Sequence, residues 1–226
     1  MRLNIGGITA FTTIDFPGQL AAVVFLQGCA WRCPYCQNQH LLAVDEAADD
    51  WEMLRTFLEK RQGLLDGVVF SGGEPLLQSG LSEAISAVKD MGFKVALHTS
   101  GGNPQRLARC LPLLDWVGLD IKTTFTDYES LTGIAGSGVK VRESLKILLE
   151  SEVDYEVRTT VDPTFFAGNT LLELAKILAA IGVKNYALQQ CRSVKNYEVD
   201  NSNLAFDEVF LNTIKAMFPQ FTVRTC

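Results

Sequence analysis

Basic residues are scarce in this chain. Lys and Arg number 20 against 26 Asp and Glu, which leaves a formal net charge of −6. That balance argues against a nucleic-acid binder that works by neutralising phosphates. Cysteine is scarce too: six in 226 residues is too few for a disulfide-stapled secreted scaffold. No stretch reaches the roughly 18 apolar residues that a membrane span needs. The opening Met1-Arg2-Leu3-Asn4-Ile5-Gly6-Gly7 lacks the apolar run of a signal peptide. We therefore expect a cytoplasmic protein in a reducing compartment, where cysteines serve as metal ligands, catalytic groups or core residues. Histidine is limited to His40 and His98. There is no internal repeat, low-complexity tract or Pro/Gly/Ser-rich linker, so residues 1–226 read as one domain. What is present is ordinary globular composition, 47% hydrophobic and 20% charged.

Short apolar segments alternate with amphipathic ones. Strands are expected at Leu20–Leu26, Gly67–Ser71, Lys94–Ser100, Trp116–Lys122, Tyr155–Val161 and Asn185–Gln190. Helices are expected from Asp50 to about Gln62, Ser79 to near Gly92, Pro104 to about Leu111, Gly138 to Ser151, Asn169 to Ile181 and Phe206 to Phe218. Phe221–Arg224 offers a final strand. Alternating strands and helices imply parallel β/α units. Six units are too few for a closed eight-unit barrel. The expected architecture is α/β, a partial and splayed (β/α)6 barrel.

The densest chemical signal is Cys29-Ala30-Trp31-Arg32-Cys33-Pro34-Tyr35-Cys36, a C-x₃-C-x₂-C spacing on the loop after the first long strand. Structural zinc usually wants four ligands from paired knuckles. No second close cysteine pair exists, although His40 is near enough in sequence to be a fourth ligand. An iron–sulfur cluster fits better, because thiolates are its usual ligands and a [4Fe–4S] cube takes one per iron. Three clustered cysteines would leave one iron open to a substrate. A ferredoxin-like electron carrier would need a fourth cysteine from Cys110, Cys191 or Cys226.

Polar groups gather at successive strand ends. Ser71-Gly72-Gly73-Glu74-Pro75 follows one strand, where glycines let a backbone approach a ligand and Glu74 suits an ammonium group. The next strand ends His98-Thr99-Ser100-Gly101-Gly102. Asp120 and Lys122, two apart on a strand, share a face, either as a simple salt bridge or as ligand contacts. Glu156, Arg158 and Thr160 share another face, where Arg158 can clamp a carboxylate or pair with Glu156. Gln189 lies at the end of the sixth strand. The carboxyl ends of parallel strands are where α/β folds gather ligands.

With its aromatic Tyr35 before the last cysteine, the cysteine motif resembles that of the radical S-adenosylmethionine (SAM) superfamily, and Gly72-Gly73-Glu74-Pro75 is similar to that family's SAM-binding loop. Within the superfamily the chain resembles the activating enzymes of glycyl-radical proteins, and among them the activating proteins of anaerobic ribonucleoside-triphosphate reductase. The stretches that carry this are Phe16-Pro17-Gly18, Phe25-Leu26-Gln27-Gly28-Cys29, Arg32 to Asn38, Phe70 to Pro75, Leu97 to Gly101, Asp115 to Lys122 and Val157 to Val161.

The resemblance implies an oxidoreductase with a [4Fe–4S] cluster on Cys29, Cys33 and Cys36. It implies SAM held by Gly72, Gly73, Glu74, Asp120, Lys122 and Arg158, with Tyr35 against the adenine; Ser100 belongs with these contacts. Reductive cleavage of SAM would give a 5′-deoxyadenosyl radical that takes a Cα hydrogen from one glycine of the reductase. Reduced flavodoxin or ferredoxin would donate the electron. The alternative within the superfamily is a small-molecule enzyme similar to 7-carboxy-7-deazaguanine synthase. The chain departs from its relatives at His98, where they often have Asp, and at Asp162, where near relatives often have His. Cys110 and Cys191 read as buried packing, and Cys226 as a frayed terminal thiol. The Thr123–Gly138 connection reads as a surface loop.

Overall fold

The computed structural model describes residues 2–44, 51–166, 169–194, 197–200 and 208–225. Eight strands form one sheet in chain order. They are β1 (Ile5–Thr12), β2 (Ala21–Leu26), β3 (Gly67–Gly72), β4 (Lys94–Thr99), β5 (Trp116–Asp120), β6 (Asp154–Val161), β7 (Asn185–Gln190) and β8 (Gln220–Arg224). β1 runs antiparallel to β2, and every later pair is parallel. β1 and β8 remain edges, so the barrel stays open. Around it lie α1 (Trp51–Glu59), α2 (Leu81–Asp90), α3 (Pro104–Cys110), α4 (Tyr128–Thr132), α5 (Ser137–Leu149), α6 (Thr170–Ile181) and α7 (Glu208–Lys215).

The six expected strands are β2 to β7, and β8 is the expected last one. The sheet is two strands wider than the six-strand expectation. β1 escaped the sequence reading because Gly6-Gly7 interrupts it and only Ile5 and Thr12 are buried, so it shows no period-2 alternation. α4 falls in the connection read as a plain loop. Asp50 and Phe206, the expected starts of α1 and α7, and Cys226 lie outside the described residues.

Side chains alternate across each strand, and the two faces differ. Val68, Phe70, Val95, Leu97, Val117 and Leu119 face outward into a large core shared with the helices. Ala21, Val23, Val69, Ala96 and Trp116 face inward and, with Phe16, make a small apolar plug. Local chemistry sets the helix ends: Asn103 Oδ1 accepts from Arg106 N at 3.1 Å ahead of Pro104. Gly182 closes α6 with a left-handed φ of 102°. Above the plug, toward the carboxyl ends of the strands, the inner face turns polar.

Candidate active site

The cysteine loop leaves β2 and is tied on two sides. Gly28 N donates to Leu41 O at 2.8 Å, Cys29 N to Leu42 O at 3.2 Å and Cys36 N to Cys33 O at 3.1 Å. Trp31 is buried between the first two cysteines and meets Tyr128 edge-on, with ring centroids 5.9 Å apart. Arg32 Nη1 folds back onto the carbonyls of Cys29 (2.6 Å) and Trp31 (2.9 Å). Cys29, Cys33 and Cys36 are partly buried, free thiols. Burial pushes the Cys29 thiol up to about 11 and raises Cys33 as well. Thiolates in this loop therefore need a cation to compensate them.

The Gly-Gly turn lies against that loop. Gly73 N donates to Leu26 O and Glu74 N to Gly28 O, both at 2.8 Å. Asn38 Nδ2 reaches Gly72 O at 2.9 Å. Neither glycine admits a side chain: a Cβ on Gly72 would sit 2.4 Å from the Leu26 backbone, and one on Gly73 2.4 Å from Gly28 O. Gly72 also has a φ of +117°. Glu74 is 4% exposed, and its carboxylate is occupied within the protein. It accepts from Leu76 N (3.0 Å), Thr99 Oγ1 (2.6 Å), Ser100 N (2.8 Å) and Ser100 Oγ. Glu74 and Ser100 thus bind each other and fasten the end of β4 to the turn after β3. The Glu74 residue also caps the short turn of helix at Pro75–Leu77.

Asp120 and Lys122 do share a face. Lys122 Nζ lies 3.5 Å from Asp120 Oδ2, and Arg158 Nε donates to Asp120 Oδ1 at 3.0 Å. Burial alone would raise the Asp120 pKa, but the Arg158 and Lys122 cations outweigh it and hold the carboxyl below its usual value. Burial likewise works against the Lys122 ammonium, and Asp120 more than restores it. Arg158 does not pair with Glu156 as one expectation had it. Glu156 takes a bidentate pair from Arg224 at 2.8 and 2.9 Å, across β7. The Arg158 guanidinium lies over Gly118, where a Cβ would stand 2.7 Å from Cζ, and Nη1 comes within 3.5 Å of the His98 ring.

His98 Nε2 bonds Asp15 O at 2.8 Å, in the loop beneath the barrel. Burial and Arg158 hold its pKa down to about 3, so the imidazole is neutral. Asp162 is fully buried outside this polar row. It accepts from Thr164 N (2.8 Å) and Tyr197 Oη (2.7 Å), which latches the segment after β7. That segment covers Tyr35: Cys191, Leu131, Phe165, Tyr197 and Val199 pack with it, and Gln37 Nε2 bonds Arg192 O at 2.9 Å. Cys110 is buried in the outer core. Sequence reasoning missed Gly118 and Tyr128 and named Thr99 only as part of a polar strand end. The period-2 spacing Trp116-Gly118-Asp120 was the available signal for the first; nothing in the sequence marked Tyr128.

A wide concavity of about 1380 Å³ lies at the opposite end. It is lined by Lys94, Trp116, Asp154, Asn185 and Gln220 at the amino ends of the strands. None of the cysteines borders it. The expected site residues instead gather toward the carboxyl ends of the strands, the end where parallel α/β sheets collect ligands.

Two observations test whether these residues fit a cluster and SAM. Among the described residues no three His, Cys, Asp or Glu side chains converge on a single ion. A [4Fe–4S] cube needs no such convergence, since each thiolate serves its own iron. Tyr35 Oη is buried with no hydrogen-bond partner among the described residues, and the ionisable groups near it are Lys122, Cys33, Tyr128 and Asp120. Such an orphan needs a partner, and SAM beside the cluster carries polar groups to supply one. The residues fit both groups.

The pattern of the Radical SAM superfamily matches residues 23–181. Over 218 residues the chain is 28% identical to a Methanocaldococcus jannaschii protein provisionally named a glycyl-radical enzyme activating enzyme, covering 90% of this chain and 86% of that one. Over 189 residues it is 30% identical to the pyruvate formate-lyase-activating enzyme of Clostridium pasteurianum, covering 79% of this chain and 77% of that one. Its backbone is similar to that of QueE from Escherichia coli, with a TM-score of 0.64 over 100% of this chain and 95% of that chain. At 20% identity this last likeness bears on the fold alone.

Proposed function

The chain belongs to the radical SAM superfamily, and from that premise we infer that it installs the radical of an anaerobic ribonucleoside-triphosphate reductase. It is a radical SAM enzyme of the type that activates glycyl-radical enzymes, using a [4Fe–4S] cluster and SAM. The reductase as target is supported by the motif likeness along residues 5–190. The relatives named above are activating enzymes, which does not favour the small-molecule alternative.

A [4Fe–4S] cluster held by Cys29, Cys33 and Cys36 would supply the one-electron reduction that cleaves SAM and leads to removal of the partner's glycine hydrogen. The chain's residues do the rest. Cys29, Cys33 and Cys36 would hold three irons. The peptide groups of Gly72 and Gly73, kept bare of side chains, would receive SAM's amino end. Lys122 and Asp120 would meet its opposite charges, Tyr35 would lie against the adenine, and Arg158 would hold Asp120 in place. Glu74 and Ser100 would act by fixing the Gly-Gly turn. The hydrophobic lining around Tyr35 and Trp31 would keep water from the radical. Reduced flavodoxin or ferredoxin would supply the electron.

The observation that carries this reading is the contact of the three-cysteine loop with the Gly-Gly turn, beside the half-buried Asp120–Lys122 pair. The test is anaerobic. The iron-loaded, reduced protein is given SAM and the reductase, and 5′-deoxyadenosine and the glycyl-radical EPR signal are quantified. Both should form with the wild type and neither with Cys33→Ala, which should also lose iron. A signal on pyruvate formate-lyase and none on the reductase would overturn the target while leaving the activase reading intact.

A further inference from the structure

α4 lies in a connection without a recognisable motif, and it touches both halves of the site. Tyr128 is its first residue and is fully buried. Its Oη accepts a hydrogen bond from Lys122 N at 2.7 Å. The β5–β6 ladder ends with Asp120 opposite Arg158, and Ile121 N still reaches Arg158 O at 2.8 Å. Lys122 is the next residue, and its N–H is met by a phenol where the sheet gives out. The same ring stands edge-on to Trp31 at 5.9 Å and stacks on Phe125 at 6.2 Å. At the other end of α4, Thr132 O accepts from Arg32 N at 3.2 Å. Thr132 Oγ1 bonds back to Tyr128 O at 2.8 Å. One short helix thus grips the main chain of Lys122 and the stretch between Cys29 and Cys33.

We propose that Tyr128 is a positioning residue for SAM: its hydroxyl sets the direction in which Lys122 leaves β5, and its ring seats the cysteine loop at the matching height. This rests on the reading that Lys122 holds SAM. The ammonium has a loose contact with Asp120, 3.5 Å, so its place depends on the backbone beneath it. A phenylalanine keeps the packing on Trp31 and removes the acceptor, leaving a buried N–H unsatisfied.

The test uses the full chain, reconstituted anaerobically and reduced. Iron and sulfide per chain, melting temperature and the SAM dissociation constant, read from the EPR spectrum of the reduced cluster, are measured for wild type, Tyr128→Phe, Phe125→Leu and Lys122→Met. Tyr128→Phe should keep its iron and weaken SAM binding about tenfold, the loss of one buried hydrogen bond. Phe125→Leu should lower the melting temperature and leave SAM binding unchanged. Wild-type affinity in Tyr128→Phe beside a weakened Lys122→Met overturns the role of Tyr128. Wild-type affinity in Lys122→Met overturns the premise and the proposal with it. Equal weakening in Phe125→Leu reduces Tyr128 to packing. Should Tyr128→Phe hold no iron, Tyr128→3,5-difluorotyrosine keeps the shape and weakens the acceptor; an unchanged SAM affinity there overturns the proposal.

Discussion

Gly118 shows how a single missing side chain shapes the site. It lies between Trp116 and Asp120 on the inward face of β5, and the Arg158 guanidinium occupies the space a Cβ would take, 2.7 Å from Cζ. Gly118→Ala should push Arg158 off Asp120, lower stability by about 1–3 kcal/mol through overpacking, and weaken SAM binding. Thermal unfolding and SAM titration check both effects. His98 gives a pH signature. Its native pKa of about 3 lies below the ordinary 6.5, so the unfolded chain takes up a proton that the folded one refuses. The stability it contributes is fully present above 6.5 and drains away as pH falls toward 3. Arg158, Asp120 and Arg224 are the charges acting on it. The ring keeps some contact with the open barrel, so the slope from this group should be at most about 1.4 kcal/mol per pH unit. His98→Gln, whose amide can still donate to Asp15 O, should flatten the stability profile between roughly pH 6.5 and 3.

At the scale of elements, two connections that look like filler hold the cysteine loop. One is α4; the other is the stretch after β7, latched by Tyr197 Oη to Asp162. Asp162, singled out in the sequence as a departure from the family pattern, serves the latch. Tyr197→Phe should leave a buried carboxylate oxygen short of one donor, at a cost of about 1–3 kcal/mol. Amide exchange should quicken at residues 191–194 and 197–200 while the strands stay protected. Unchanged exchange there would show that Tyr35 and its apolar neighbours hold the segment unaided. The glycine pair after β3 was readable as a close-approach site. The internal bonding of Glu74 was not, because its four donors come from Leu76, Thr99 and Ser100, and no sequence spacing announces a bond between the ends of neighbouring strands.

For the molecule as a whole, the open sheet has a wide concavity at the amino ends of its strands, away from the cysteine loop. Its lining includes Glu150, Glu152 and Asp154 near the start of β6. Glu152→Lys reverses a charge there and should leave SAM affinity and 5′-deoxyadenosine formation as in wild type. A loss of either would place part of the function at that end. The Arg224–Glu156 pair joins β8 to β6 across β7, so the last strand helps fix the polar inner face.

The sequence alone determined the alternation of strand and helix, the parallel α/β class, the three thiols and the pairing of Asp120 with Lys122. Each is written in local spacing: period 2 along a strand, 3.6 along a helix, and a tight cysteine triplet within one loop. Only the tertiary structure decided that Arg158 serves Asp120 and not Glu156, that Glu74 spends its carboxylate inside the protein, that an exposed glycine-broken strand edges the sheet, and that Tyr128 meets Lys122. These depend on which strands become neighbours and on how buried polar groups share a limited set of partners. Burial compels each of those groups to find a partner, and the folded topology dictates which one is within reach.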